Sequence, residues 1–255
     1  MNVQEVDQAF YDLRWAGEGD ITPRERNRVS TTLSLIPGDC HSILDIGCGD
    51  GFLSNELIAR GKSLVAADIS EVALARVQAP TLLRSADSLW GVGDQSFDLV
   101  LCTEMLEHLD EKTYQGALRE FNRVARKSIL ITVPHRENMR ENTARCGDCG
   151  SHFHIWGHRR RFVERDLRTL FPDFQPIAIV RFGDNLQQYN RILLELRIRL
   201  ADAWAVDDRS PCPNCHSHRT AAPKRPRLAA LFDLVNANLF HVAHKPWFLA
   251  LYGRK

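Results

Sequence analysis

Residues 43–51 read Ile-Leu-Asp-Ile-Gly-Cys-Gly-Asp-Gly, an apolar run holding one acid, Asp45, that breaks into glycines at alternate positions. An apolar run bounded by such a turn reads as a strand buried on both faces, as in parallel sheets. Glycines there let the backbone turn sharply and approach a ligand closely. The next stretch, FLSNELIARG (52–61), has apolar residues at helical spacing and stops at Gly61. A helix starting behind the loop presents free N–H groups to whatever the loop cradles. The following apolar run, SLVAADIS (63–70), carries Asp68 at its end. An acid about twenty residues beyond a glycine loop can accept hydrogen bonds from both hydroxyls of a ribose.

The same rhythm continues outward. Residues 22–36 read as a helix with Thr22 as cap and Pro23 in its first turn, and EVALARVQ (71–78) as another helix. TLLRSAD (81–87) predicts a short strand and FDLVLCT (97–103) a longer one. KTYQGALREFNRVAR (112–126) is helical, and SILITVP (128–134), FQPIAIVRFG (174–183) and WFLALYGR (247–254) are strands. Strands alternating with helices imply an α/β fold with a doubly wound, mostly parallel sheet. Two segments break the alternation, 136–160 and 184–244, leaving 1–135, 161–183 and 245–255 as the core. The second insertion opens on NLQQYNRILLELRIRLADAWA (185–205), read as one long helix.

Composition bounds the function. The chain has 255 residues, 44% of them apolar and 25% charged, with a net charge of +1. Such a balance provides no global field toward nucleic acid or membrane, though it leaves a local basic face open. Residues 1–20 carry acidic and basic residues where a secretory leader needs an apolar core, and no apolar stretch is long enough to span a bilayer. The expected compartment is the cytoplasm, where thiols stay reduced.

At the glycine loop and its neighbours the chain resembles the class I S-adenosylmethionine-dependent methyltransferases. ILDIGCGDG, VAADIS, SADSL and FDLVLCTEMLEHL correspond to their successive motifs. The resemblance is close over roughly residues 25–135 and looser over the last strands. It implies a seven-stranded Rossmann-like sheet whose last strand is antiparallel, with S-adenosylmethionine as cofactor. Carried over position by position, Gly47 and Gly49, preceded by Asp45, lie beneath the methionine part of the cofactor. Asp68 holds the ribose, Ile69 packs on the adenine, Asp87 meets the adenine amino group and Ser88 lies beside it. Thr103 touches the cofactor near its sulfonium, and Arg28 reaches its carboxylate. Because the sulfonium is already activated, catalysis is mainly in-line positioning, with a base needed only when the nucleophile must lose a proton.

Glu104, Glu107 and His108 are spaced i, i+3, i+4 and would share one face of a helix. His108 is the candidate general base. The three also suit a divalent cation, as in the small-RNA ribose 2′-O-methyltransferases that the E-x-x-E-H pattern resembles, with His158 as the later histidine. A structural role beside the cofactor is the reading preferred over both, because an E-x-L-E-H segment also resembles a general feature of the superfamily, including members acting on small molecules without metal. His135, just past the fifth strand, is a candidate for acceptor contact.

Four of the seven cysteines form two C-x-x-C pairs, Cys146/Cys149 and Cys212/Cys215. Each pair supplies two corners of a tetrahedral zinc. The pairs lie far apart in sequence, but one follows the fifth strand and the other sits between the sixth and the last. The topology implied by the resemblance brings those points to one rim, so a single four-cysteine zinc is expected to tie both insertions into a lid. A Cys2His2 site drawing on His152, His154 or His158 is the alternative, with His216 and His218 as weaker substitutes. Four thiolates leave no open position, so the metal organises rather than catalyses. The basic stretches HRRRF (158–162) and PKRPR (223–227) fit either a solvated face or an anionic acceptor. The leading expectation is an enzyme methylating a small-molecule or glycan-type acceptor. The competing readings are an RNA ribose methyltransferase and a non-catalytic binding module on the same fold. The acceptor atom and the oligomeric state are not legible.

Overall fold

The computed structural model of the protein describes Gln8, Tyr11, Asp12 and Trp15 together with residues 21–207, 210–240 and 242–255. The expectation drawn from residues 1–20 lies largely outside that set. The chain divides into two compact units, one of residues 1–135, 162–183 and 247–255, the other of 136–161 and 184–246.

In the first unit, α1 (Pro23–Ser34) starts at a reciprocal cap in which Thr22 Oγ1 accepts from Glu25 N–H and Glu25 accepts from Thr22 N–H. There follow β1 (Ser42–Ile46), α2 (Phe52–Ala59), β2 (Ser63–Asp68), α3 (Glu71–Leu74), β3 (Thr81–Leu83) and β4 (Phe97–Thr103). After these come α4 (Glu111–Val124) and β5 (Ala125–Pro134). The helix expected over 71–78 is a single turn. The next residues close in turns, Arg76 and Val77 N–H donating to Ala73 O and Leu74 O, and Asn55 of α2 holds them there, accepting from Gln78 N–H at 2.8 Å and donating to Arg76 O at 3.3 Å.

In the second unit, β6 (Thr143–Arg145) and β7 (His152–His154) form a hairpin. The chain re-enters the first unit for α5 (Glu164–Leu167) and β8 (Phe174–Phe182), then returns to the second for β9 (Leu186–Gln188), α6 (Arg191–Ala201), α7 (Pro226–Leu239) and β10 (Val242–His244). It closes in the first with β11 (Trp247–Arg254). The helix expected over 185–205 therefore begins late. β9 pairs with β10, and Asn190 caps α6 by accepting from the N–H groups of Ile192 and Leu193.

The main sheet has seven strands in the order β3-β2-β1-β4-β5-β11-β8. β11 runs antiparallel between β5 and β8, while β1 to β5 are parallel. Side-chain alternation splits the core into two layers. Leu44, Val100, Ile129, Ile131 and Phe248 face one layer with Phe121 of α4. Ile43, Leu99, Leu101, Leu130 and Leu249 face the other with Val29 of α1 and Leu57 of α2. Burial on both faces is why these strands are apolar throughout rather than alternating.

Candidate functional site

The loop after β1 is built by backbone geometry that only glycine adopts without strain. Gly47, Gly49 and Gly51 have φ of 72°, 55° and 77°. A Cβ on Gly47 would lie 2.4 Å from Met105 Cγ, so the loop and the segment after β4 are in direct contact. Gly47 and Cys48 both donate to Ala67 O, at 2.8 and 3.2 Å, which ties the loop to the end of β2. Asp68, the last residue of β2, holds the loop with its side chain. Oδ2 accepts from Gly49 N–H and Oδ1 from Ser70 N–H, each at 2.9 Å. Burial raises the Asp68 carboxyl above its ordinary value, against the backbone N–H groups of Ser70, Gly49 and Ile69.

Asp45 is almost completely buried beneath the loop and accepts from Ser54 Oγ at 2.6 Å. Burial pushes its carboxyl up to about 6; the Ser54 bond and the Arg28 charge oppose the rise, and Asp68 adds to it. Arg28 itself sits half-buried on α1, and Ile69 half-buried after Asp68. Past β3, Asp87 is half-buried and accepts from Ser85 Oγ, while Ser88 is exposed. Gly116 of α4 is a glycine because a Cβ there would lie 2.4 Å from Asp87 Cβ. Thr103, half-buried, ends β4.

The segment after β4 departs from the expected helical face. Glu104 is left-handed (φ 54°), and Leu106–His108 form a short 3₁₀ turn, so Glu104, Glu107 and His108 do not lie along one α-helix. The reason is hydrogen bonding toward β5 and β11. Glu104 N–H donates to Thr132 O at 2.9 Å, and its carboxylate accepts from Thr132 Oγ1 at 3.1 Å and Trp247 Nε1 at 2.7 Å. Glu107 is fully buried and His108 half-buried. His135 is buried at the end of β5, its ring 4.3 Å from that of Phe248.

Sequence reasoning missed three residues near the loop. Tyr11 meets the His108 ring edge-on at 5.8 Å, and Asp12 accepts from Ser70 Oγ at 2.5 Å. Trp15 lies where a Cβ on Gly49 would meet it at 2.6 Å. They belong to no motif, and only contact with the loop marks them.

In the second unit the four cysteine sulfurs lie within 4.8 Å of one another. Cys146 and Cys215 are 3.6 Å apart, and Cys149 and Cys212 3.7 Å. Thiolates 2.3 Å from a tetrahedral zinc are about 3.8 Å apart, whereas a disulfide needs about 2.05 Å. The two turns repeat each other. Cys146 N–H donates to Ser151 O and Gly150 N–H to Cys146 O, while Cys212 N–H donates to Ser217 O and His216 N–H to Cys212 O. Gly150 and His216 are both left-handed, at φ of 75° and 59°. Backbone bonds from Gly147 N–H to Arg219 O and from Ala221 N–H to Arg145 O, both 2.7 Å, join the turns.

The neighbouring histidines are occupied elsewhere. His158 Nδ1 lies 2.5 Å from Glu137 Oε2 and His154 Nε2 3.3 Å from Oε1, with the two imidazoles stacked at 4.8 Å. Burial works against charge on Glu137, but these two bonds outweigh it and hold the carboxyl well below its usual range. His152 stacks on Trp204 at 4.2 Å. Glu137 carried no signal in the sequence.

Residues 44–131 match the family model described as a methyltransferase domain. The ubiquinone biosynthesis O-methyltransferase of Pseudomonas entomophila (strain L48) is 33% identical over 101 residues, which covers 36% of this chain and 42% of that protein. The chain thus matches less than half the length of this relative. Magnesium protoporphyrin IX methyltransferase from Synechocystis PCC 6803, with bound S-adenosylhomocysteine, superposes over 100% of both chains at a TM-score of 0.55 and 12% identity. The 1,6-didemethyltoxoflavin-N1-methyltransferase of Burkholderia thailandensis covers 98% of this chain and 86% of its own at 0.53 and 14% identity. The first unit therefore has the fold of the class I S-adenosylmethionine-dependent methyltransferases, and residues 44–131 are the part that matches the methyltransferase-domain model.

Proposed function

We propose that the protein transfers the methyl group of S-adenosylmethionine to a small-molecule acceptor. The observation carrying this reading is Asp68, placed at the end of β2 with one oxygen on Gly49 of the glycine loop. That arrangement pre-forms a ribose acceptor beside a backbone cradle. In the proposed site Gly47 and Gly49 lie under the methionine moiety and Arg28 and Asp45 serve its charged groups. Ile69, Asp87 and Ser88 take the adenine, and Thr103 lies near the sulfonium. The acceptor's electron pair forms the new bond to the methyl carbon, and the breaking C–S pair stays on sulfur as neutral S-adenosylhomocysteine. His108 would take the proton of a hydroxyl nucleophile, and His135 would contact the acceptor.

The ubiquinone-related match covers 36% of this chain. The two insertions leave the core after His135 and Gly183, both at C-terminal strand ends, where open α/β sheets bind ligands. In this reading Cys146, Cys149, Cys212 and Cys215 hold one zinc that joins the insertions, with no open coordination position for chemistry.

Calorimetry with S-adenosylmethionine and S-adenosylhomocysteine is the direct test. Saturable binding of both is expected, followed by methyl incorporation from labelled cofactor when phenolic, amine and carboxylate acceptors are screened. A folded protein that binds neither ligand would leave the fold without this function.

A further inference from the structure

The second unit carries a surface that methyl transfer leaves unused. α6 and α7 run antiparallel: Asn190 N–H donates to Asn236 Oδ1 at 2.8 Å, and Arg225 N–H donates to Ala201 O at 3.1 Å. Their inner faces bury Leu194, Ile198 and Ala201 on α6 and Ala229 and Asn236 on α7. The outer faces are apolar where a solvated helix would be polar. On α6, Ile192, Leu196 and Leu200 are 73%, 39% and 48% exposed. On α7, Leu231, Leu234 and Leu239 are 54%, 61% and 71% exposed. A spacing of four residues sets the first three in one stripe along α6, and Leu231 and Leu234 share a face of α7.

The α6 stripe ends at a cationic cleft. Between the last turn of α6 and the start of α7 lies a space of about 420 Å³, lined among others by Arg145, Arg199, Trp204, Lys224 and Arg225. Among the described residues lining it, Asp202 is the one acid against four arginines and lysines, an excess of three positive charges. Asp202 lies 3.1 Å from Arg145 Nη2 and 2.9 Å from Lys224 Nζ, and accepts from Trp204 Nε1 at 2.9 Å. Asp202 thus holds two of the four cations, while Arg225 donates to Leu200 O at 3.1 Å and Arg199, at the exposed end of α6, lies 3.8 Å from Glu195. Arg199 and Leu200 belong to both the cleft wall and the end of the helix, so charge and apolar surface are continuous.

We propose that α6 and α7 dock on a bilayer surface containing anionic phospholipids, with the leucines at the acyl boundary and the cleft receiving a headgroup phosphate. The charge distribution selects this occupant. A two-fold contact with a second copy would set the same cations against each other. The acids of the two helices are already committed, Glu195 lying 2.9 Å from Arg140 and Asp233 2.8 Å from Arg197. No helix among the described residues is long and apolar enough to cross a membrane. Helices of 11 and 14 residues with one apolar face lie in the interface plane instead.

The test is co-sedimentation of the full-length protein with vesicles of phosphatidylcholine alone and of phosphatidylcholine mixed with phosphatidylglycerol. Binding to the mixed vesicles, weakened by salt, and little binding to phosphatidylcholine are expected. Leu196→Glu with Leu234→Glu, and separately Lys224→Glu with Arg225→Glu, should each lower partitioning by more than about tenfold. The melting transition and circular dichroism check that the variants are folded. Should a double variant melt early, Ile192→Gln and Arg199→Gln, both at exposed positions, replace it. Absence of vesicle binding, or equal binding by folded variants, overturns the proposal. So does a dimer in sedimentation that Leu196→Glu dissociates, which would assign the face to a second copy. None of these readouts requires methyl transfer, so the proposal and the enzymatic reading fail separately.

Discussion

Asp68→Ala isolates the cofactor site most cleanly. Each carboxylate oxygen of Asp68 already accepts one backbone N–H, Oδ2 from Gly49 and Oδ1 from Ser70, at 2.9 Å. Each retains accepting capacity for a ribose hydroxyl. A hydrogen bond to a charged group contributes about 1.5–3 kcal/mol, so losing two costs about 3–6 kcal/mol before water recovers part of it. At about 1.4 kcal/mol per decade, the expected rise in Kd for S-adenosylmethionine is at least about 100-fold. Calorimetry at a pH where the carboxylate is ionised measures it, with the melting transition as a control for the released loop. Asp68→Asn keeps the shape and one acceptor, so its loss should be intermediate. Burial raises the Asp68 carboxyl above the ordinary carboxylate range, so affinity should fall on acidification at a pH above that of a free carboxyl. Asp68→Asn should abolish that acid limb. A folded Asp68→Ala protein whose Kd stays within about threefold of the parent, under 1 kcal/mol, refutes the site assignment.

The other predictions concern Asp45 and the cysteines. Asp45 has its carboxyl raised by burial to about 6, so its contribution to stability is fully present below the ordinary carboxylate value and is lost as pH rises through about 6. Asp45→Asn should flatten that slope and gain up to about 3 kcal/mol at neutral pH in urea unfolding, at about 1.4 kcal/mol per pH unit; parallel pH profiles for parent and variant would contradict it. Elemental analysis of protein never exposed to chelator should find one zinc per chain, and modification of the thiols should release it. Cys212→Ser should remove the metal and make the second unit unfold before the first, because structural zinc binding carries folding free energy on the order of 10 kcal/mol. Metal-free protein in which Cys146, Cys149, Cys212 and Cys215 react freely in the native state counts decisively against the zinc.

What the sequence reveals here is what backbone chemistry enforces locally. The path from β1 through the glycine loop to Asp68 is legible because three left-handed positions and a strand buried on both faces admit few residue types. The single turn of α3 is not legible, because Asn55, more than fifteen residues earlier, decides it through its side chain. Glu104 misleads for a related reason. Its spacing to Glu107 and His108 fits a helix, but Trp247, 143 residues away, holds its carboxylate beside β5. Residues 185–190 carry amide, apolar and aromatic side chains that suit either state, and pairing with β10 makes 186–188 a strand before Asn190 starts the helix. α7 is hidden by its own start, since the basic, proline-rich residues 223–227, which fit a solvated face or an anionic acceptor, serve as its approach and first turn. The cysteines show how far local chemistry reaches. Each C-x-x-C turn is specified within six residues, down to the left-handed position at Gly150 and His216. The backbone bonds between 145–147 and 219–221 then bring the two turns together. That ladder involves no special residue type, so the sequence can announce two half-sites but only the tertiary fold can make them one. Glu137 is the limiting case: its bonds to His154 and His158 exist only because the β6–β7 hairpin folds back, and one glutamate among many carries no mark of it.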